Sequence, residues 1–171
     1  MGILARLARW RVRLGAVTAV AALLLARPTW MSWGIGLAIA LVGEGIRIWA
    51  AGHLEKSREV TRSGPYRWMA HPLYVGSSVL ALGVVVAAAS PALAVVAAVY
   101  MGATITAAIR TEEANLRQAF GSTYDDYRAA RAQPMERRFS LERAIRNREY
   151  RAASGVALGF AWLALRIYVL L

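Results

Sequence analysis

The sequence predicts an all-α protein of the polytopic membrane class, a helical bundle of about five transmembrane helices with a cytoplasmic amphipathic helical segment. Three observations predict it. Hydrophobic residues make up 58% of the 171 positions, above the roughly 45–50% of ordinary soluble domains. The excess falls in blocks of about 18–22 residues, the length a helix needs to cross a bilayer. Eighteen of the 21 basic residues lie in three places: before position 14, in the loop 53–71 and in the stretch 110–151. Charge confined to alternate connections is the positive-inside pattern, which reports topology.

By length the chain is one domain. The first apolar run, 14–26, is short for a bilayer unless Arg11, Arg13 and Arg27 extend to its surfaces. Its charged-then-apolar outline resembles a signal peptide. However, it leads through Arg27-Pro28 into the next span without a convincing cleavage site, and it reads as a retained helix. The second span is 30–52 and the third 72–89. Ser90-Pro91 is a tight turn, and the fourth span, 92–109, returns antiparallel to the third. The fifth, 152–171, is interrupted only by Arg166. The arginine-rich connections place the N-terminus, the 53–71 loop and the 110–151 segment on the cytoplasmic side. In that last segment Leu116, Phe120, Tyr124 and Tyr127 recur at helical spacing, an apolar stripe opposite Arg117, Asp125 and Arg128. Basic residues dominate from 131 to 151, which suits contact with anionic lipid headgroups. An arginine-rich, cysteine-free chain of this architecture suggests a bacterial inner membrane.

Composition also excludes functions. The chain has no cysteine, so it has no disulfides, thiolate metal sites or cysteine nucleophiles. Two histidines, His53 and His71, are too few for a histidine-rich metal cluster, and no metal site is expected. The net charge of +11 suggests nucleic acid only if its placement is ignored. Gly34-x-Gly36 and Gly43-x-Gly45 superficially resemble nucleotide loops. They lie inside a membrane span with no preceding strand, so helix packing is the better reading. Glu44 and Arg47, three apart in the same span, either pair with each other or line a polar cavity near its cytoplasmic end.

Two clusters carry the chemistry. Gly64-Pro65 is a turn, and Pro72 suits the first position of a helix, where its missing N–H costs nothing. The third span therefore opens at the membrane surface with free N–H groups and the positive end of a helix dipole, a setting for a carboxylate. His71 stands at that boundary and Tyr74 on the first turn, either as site residues or as interfacial anchors. Arg110-Thr111-Glu112-Glu113 directly follows the fourth span, so the hairpin brings it to the same depth. Two carboxylates beside a helix N-terminus and a histidine can hold a ligand bearing both an ammonium and a carboxylate. Alternatively, Glu112 and Glu113 pair with Arg110, Arg117 or Lys56.

Gly64-Pro65-Tyr66, four residues, then His71-Pro72-Leu73-Tyr74-Val75-Gly76, a hairpin, and Glu112-Glu113-x-x-Leu116-x-x-x-Phe120-Gly121-x-x-Tyr124-x-x-Tyr127 together resemble one family. It is the isoprenylcysteine carboxyl methyltransferase and phospholipid methyltransferase superfamily, and the resemblance covers roughly residues 40–130. It implies an enzyme that binds S-adenosyl-L-methionine at the cytoplasmic membrane interface. Tyr66, His71, Pro72, Leu73 and Tyr74 would contact the cofactor, with Thr61 as a further contact. Glu112 or Glu113 would take its amino group, and Arg110 matches a basic residue assigned to the substrate carboxylate. The position before the histidine, usually arginine in such motifs, is Ala70 here, which leaves Arg67 or Arg62 to supply local positive charge. The fifth span is extra to the minimal pattern.

The residue types suit that chemistry. Methyl transfer from a sulfonium is an in-line displacement, in which alignment matters more than a strong acid or base. A carboxylate acceptor needs only a cation to orient it, Arg110 or Arg47. An amine acceptor needs a base, His71 or a glutamate such as Glu113. Tyrosine faces near a sulfonium add cation–π attraction of up to about 2 kcal/mol. The implied acceptor is a lipid-soluble or amphiphilic small molecule such as an isoprenoid carboxylate. Two other functions share the helical outline: an NADPH-dependent isoprenoid or sterol-type reductase, and a non-catalytic membrane scaffold.

Overall fold

The computed structural model describes residues 24–170. The first expected span, 14–26, lies outside them apart from residues 24–26. Among the described residues the helices are α1 (Trp30–Ala51), α2 (Pro72–Ala88), α3 (Pro91–Phe120), α4 (Ser122–Arg128), α5 (Leu141–Arg146) and α6 (Tyr150–Leu170). A 3-10 turn occupies Gly64–Arg67. The expected spans at 30–52, 72–89, 92–109 and 152–171 each correspond to one helix, and the protein is an all-α membrane bundle. Trp30–Ala51, Pro91–Phe120 and Tyr150–Val169 are long and apolar enough to cross a membrane; Pro72–Ala88 is a shorter apolar helix.

Exposed aromatic residues stand near both ends of two of the long apolar helices. Trp30 and Trp49 are both exposed on α1, nineteen residues and so about 28 Å apart along the axis. On α6, Tyr150 and Tyr168 are exposed about 27 Å apart. Both spacings match a hydrocarbon layer of about 30 Å bounded by aromatic belts. At the 53–71 end Trp49 pairs with Trp68, ring centroids 5.7 Å apart.

Small residues hold α1 on α2. A Cβ at Gly36 would strike the Gly83 carbonyl and Ala87; one at Gly43 would strike the Leu80 backbone; those at Gly76 and Gly83 would strike the α1 backbone. Gly34 and Gly45 face open space. Each Gly-x-Gly pair thus gives one residue to the helix contact, as small-residue packing requires. Thr29 and Ser32 form a capping box at the start of α1, and the Ser32 hydroxyl also donates to the Ala87 carbonyl at 3.1 Å. α6 packs through Phe160 and Leu163 against Ala26, Ala40, Ala87, Ala88 and Leu93, with the Trp33 indole donating to the Phe160 carbonyl at 2.9 Å. Arg166 closes the far end. Its guanidinium donates to the carbonyls of Ala26 at 2.8 Å and Leu24 at 3.1 Å, so the charge interrupting the last span is satisfied by backbone just before α1.

α2 turns into α3 through Ala89, which is left-handed at φ 48°. Ser90 then caps α3 with Pro91 in its first turn. α3 runs unbroken for 30 residues, about 45 Å, and overshoots the membrane by roughly 15 Å. The segment 110–151 is therefore divided among several helices. Its first part continues α3 to Phe120. Gly121, at φ 51°, then reverses the chain, a conformation glycine adopts without strain. α4 returns toward the bundle, carrying Tyr124 and Tyr127.

Candidate functional site

The start of α2, the outer part of α3, α4 and the loop after α1 enclose a cavity of about 530 Å³. Small-molecule sites occupy roughly 300–1,000 Å³. Thr61, Tyr66, His71, Pro72, Leu73, Tyr74, Glu112 and Arg47 all line it. Tyr124 and Tyr127 line it too, so four phenol rings face one space. On α3 the lining positions 104, 107, 108, 111, 112, 115 and 116 recur at helical spacing and form one stripe.

Arg110 falls outside that stripe. It is exposed and does not line the cavity, because on a 3.6-residue helix position 110 points away from the face shared by 107, 108 and 111. Arg47 is instead the cation at the membrane-side end of the cavity, one half-turn inside Trp49. Its Nε lies 2.7 Å from a Glu149 carboxylate oxygen, off the axis of a good hydrogen bond, and 3.6 Å from Glu44. Its Nη1 donates to the Ser77 hydroxyl. Glu44 and Glu149 are buried and do not line the cavity, whereas Arg47 and Ser77 do. Both sequence readings of Arg47 therefore hold together: it is ion-paired and it faces the polar space. Through Glu149 the start of α6 bears on the site.

The two glutamates have separate surroundings. Glu113 accepts from His71 Nε2 at 3.2 Å and is paired with Arg128 at 3.2 Å and Arg117 at 3.7 Å. It is absent from the cavity lining. Glu112 lines the cavity, is 44% exposed and, among the described residues, is paired only with His71 Nδ1 at 4.0 Å. Glu113 holds the His71 ring, and Glu112 faces the cavity. His71 itself makes no side-chain cap to α2, which leaves the ring available to Glu113. The backbone there is largely used. The Tyr74 and Val75 N–H groups both donate to the His71 carbonyl, and Pro72 has none to offer. The free-amide anion site expected at this helix start reduces to the Leu73 N–H.

Two contacts hold the rim. Tyr127 donates its hydroxyl to the Tyr66 carbonyl at 2.8 Å and lies 3.3 Å from the Met69 carbonyl, pinning the 3-10 turn beneath α4. Burial pushes its phenol up to about 12, so it stays a donor at neutral pH. Burial, with the Glu112 carboxylate nearby, also raises the Tyr66 phenol well above its ordinary value. Gly64, at φ 55°, leaves no room for a Cβ beside the His53 ring. Burial and the neighbouring Arg143, Arg137 and Arg67 lower the His53 pKa, which keeps it neutral at the turn.

The arginine-rich stretch is a strap under the loop. Arg137 grips Glu59 with two bonds of 2.6 and 2.8 Å, and Arg143 holds Glu55 at 2.8 Å. Asn147 donates to the Ala51 and Leu54 carbonyls. Glu59 in turn accepts from the Thr61 hydroxyl at 3.3 Å, so the strap reaches a cavity residue. The positive-inside count gave no sign of this pairing, because charge totals carry no partners. Arg138, Arg148 and Arg151 stay exposed with Phe139, Leu141 and Ile145, a surface suited to lipid headgroups. Among the described residues no three His, Asp or Glu side chains gather as a metal site.

The architecture defines a class: a membrane helical protein with a tyrosine-rich, partly acidic small-molecule cavity at one bilayer surface. The chain belongs to the phospholipid methyltransferase family, whose model matches residues 17–123. Two proteins, from Oryza sativa subsp. indica and subsp. japonica, are each named probable protein-S-isoprenylcysteine O-methyltransferase. Each is 31% identical to the chain over 110 residues, covering 57% of this chain and 58% of its own length. The nickel-cobalt-cadmium resistance protein NccN of Alcaligenes xylosoxydans xylosoxydans is 34% identical over 124 residues, 68% of this chain and 56% of that protein. The chain thus spans little more than half the length of the curated relatives it matches. No solved structure matches it.

Proposed function

We propose that the protein transfers a methyl group from S-adenosyl-L-methionine to a lipid-soluble acceptor at the cytoplasmic face of the membrane. The observation that carries this reading is a cavity shared by His71, Tyr66, Tyr74, Glu112 and Arg47. Its residues suit the cofactor. Glu112 offers a half-exposed carboxylate to an ammonium, and four tyrosine rings suit a sulfonium. When bound, the cofactor would supply an electrophilic methyl group and leave as neutral S-adenosylhomocysteine.

The chain's own residues then do the positioning. Arg47, braced by Glu44, Glu149 and Ser77, orients the acceptor's polar group just below the membrane surface, while its apolar part remains in lipid. For a carboxylate acceptor no proton moves, and Arg47 supplies the charge that aligns it. For an amine acceptor His71 is the base in reach of the cavity, because Glu112 is given to the cofactor's ammonium and Glu113 is already held by His71, Arg117 and Arg128.

The test is incubation of purified protein with methyl-labelled S-adenosylmethionine and bacterial lipid extract. Label is expected in the organic phase, reduced at least tenfold by Arg47→Gln. Release of the label as methanol in mild alkali marks a carboxyl ester, and alkali-stable label marks an amine. Absence of label in any lipid fraction would contradict the proposal.

A further inference from the structure

Two kinds of arginine lie between Arg137 and Arg151. The first kind holds the cavity. Arg137 grips Glu59, and Arg143 and Arg146 reach Glu55 at 2.8 and 3.1 Å. Those glutamates belong to a loop without helix, whose residues 54–57 and 59–61 form one wall of the cavity. The second kind faces outward. Arg138, Arg148 and Arg151 are exposed, and their guanidinium groups pair with no described residue. Phe139, Leu141 and Ile145, exposed as well, alternate with them along the chain. Arg137 and Arg138 are adjacent in sequence yet fall on opposite sides. Arg148 is left-handed at φ 63°, a conformation that glycine or asparagine adopts with less strain. The turn itself gives no reason for an arginine there.

Position in the fold decides what covers the outward face. α5 is tied to the end of α1: the Ser140 N–H donates to the Gly52 carbonyl at 3.1 Å, and the Asn147 side chain donates to the Ala51 and Leu54 carbonyls, both at 2.9 Å. α6 begins at Tyr150, just after α5 ends at Arg146. The short helix therefore lies between the ends of two membrane-spanning helices, close to the exposed Trp49 and Tyr150. Exposed apolar side chains interleaved with arginines at that depth match a segment lying in the bilayer interface, with rings and methyls toward acyl chains and guanidinium groups among phosphates. We propose that residues 138–151 anchor on an anionic lipid surface, and that the anchored strap holds the 54–61 wall of the cavity through Arg137 and Arg143. Lipid charge then sets how firmly the cavity is formed. The coupling requires no particular ligand in the cavity, so it stands apart from the methyl-transfer reading.

Amide hydrogen exchange of the full chain in nanodiscs tests this. Amides of 54–61 and 135–147 are expected to exchange about fivefold more slowly in an equal mixture of phosphatidylglycerol and phosphatidylcholine than in phosphatidylcholine alone. The combined variant Arg138→Gln, Arg148→Asn and Arg151→Gln should lose that difference and match the parent in the neutral discs; asparagine at 148 suits the left-handed turn. Arg137→Gln should speed exchange at 54–61 in both lipids. Depth is read separately. The chain has no cysteine, so Ile145→Cys takes one spin label, which oxygen should relax more strongly than a water-soluble nickel complex. Equal exchange of the parent in the two lipids would overturn the proposal, as would a combined variant that keeps the difference. Slower exchange at 138–151 without any change at 54–61 would remove the coupling. A label relaxed mainly by the nickel complex would mean a face open to water or to a protein partner. Equal protection by free inorganic phosphate in neutral discs would rule out the bilayer as the source.

Discussion

Glu112→Gln is expected to weaken S-adenosylhomocysteine binding by about ten- to a hundredfold, the range of a lost charge-assisted hydrogen bond of about 1.5–3 kcal/mol. The substitution keeps the shape and removes the charge. Glu112 is the carboxylate of its pair that lines the cavity, with only a histidine nitrogen at 4.0 Å among the described residues, so the free protein should keep its stability. Glu113→Gln should behave in the opposite way. Its carboxylate is engaged by His71, Arg117 and Arg128, and its loss leaves three donors short of a partner. That variant should unfold earlier and bind less tightly as a consequence. Isothermal titration beside thermal unfolding distinguishes the two. Equal binding losses with equal destabilisation would refute the division of roles.

The second large effect concerns the frame. Gly36→Leu is expected to destabilise the detergent-solubilised protein by about 3 kcal/mol or more, the upper end of overpacking costs, because the new side chain meets backbone. The Gly83 carbonyl and Ala87 occupy the space a Cβ would need, and α1 and α2 would have to separate. Since α2 carries His71 and Tyr74 and α1 carries Arg47, ligand binding should be lost as well. Gly34→Leu, two residues away, is the control. Nothing lies within 4 Å of the Cβ position there, and leucine favours the helix by close to 1 kcal/mol over glycine. Thermal unfolding of the two variants should move in opposite directions. Destabilisation of both to the same degree would mean that the small-residue contact is not what holds the pair.

Much of this was legible in the sequence, and the reasons differ by element. The helices that cover 30–52, 72–89, 92–109 and 152–171 follow from apolar length and from the Ser90-Pro91 turn. The meeting of His71 with Glu112 and Glu113 follows from the hairpin, because antiparallel helices return to the same depth. What sequence could not supply was rotation and partnership. Arg110 and Glu112 are neighbours in the chain, yet one faces the cavity and the other does not, and the helical phase is set by packing. Arg47 was visible as a charge in a span, but Glu149 is 102 positions away and only the fold brings it beside α1. The link from α6 to the site was therefore invisible. The strap at 135–147 was hidden for a similar reason: Arg137 and Arg143 count as positive-inside charge whether or not Glu59 and Glu55 stand opposite.

Direct ligand titration tests the central claim. Purified protein in detergent or nanodiscs is heated with increasing S-adenosylhomocysteine and, separately, with NADPH. The account predicts that S-adenosylhomocysteine raises the unfolding temperature in a saturable manner, as a ligand binding only the folded state must, and that NADPH leaves it unchanged. Stabilisation by NADPH alone, or by neither compound, would contradict it.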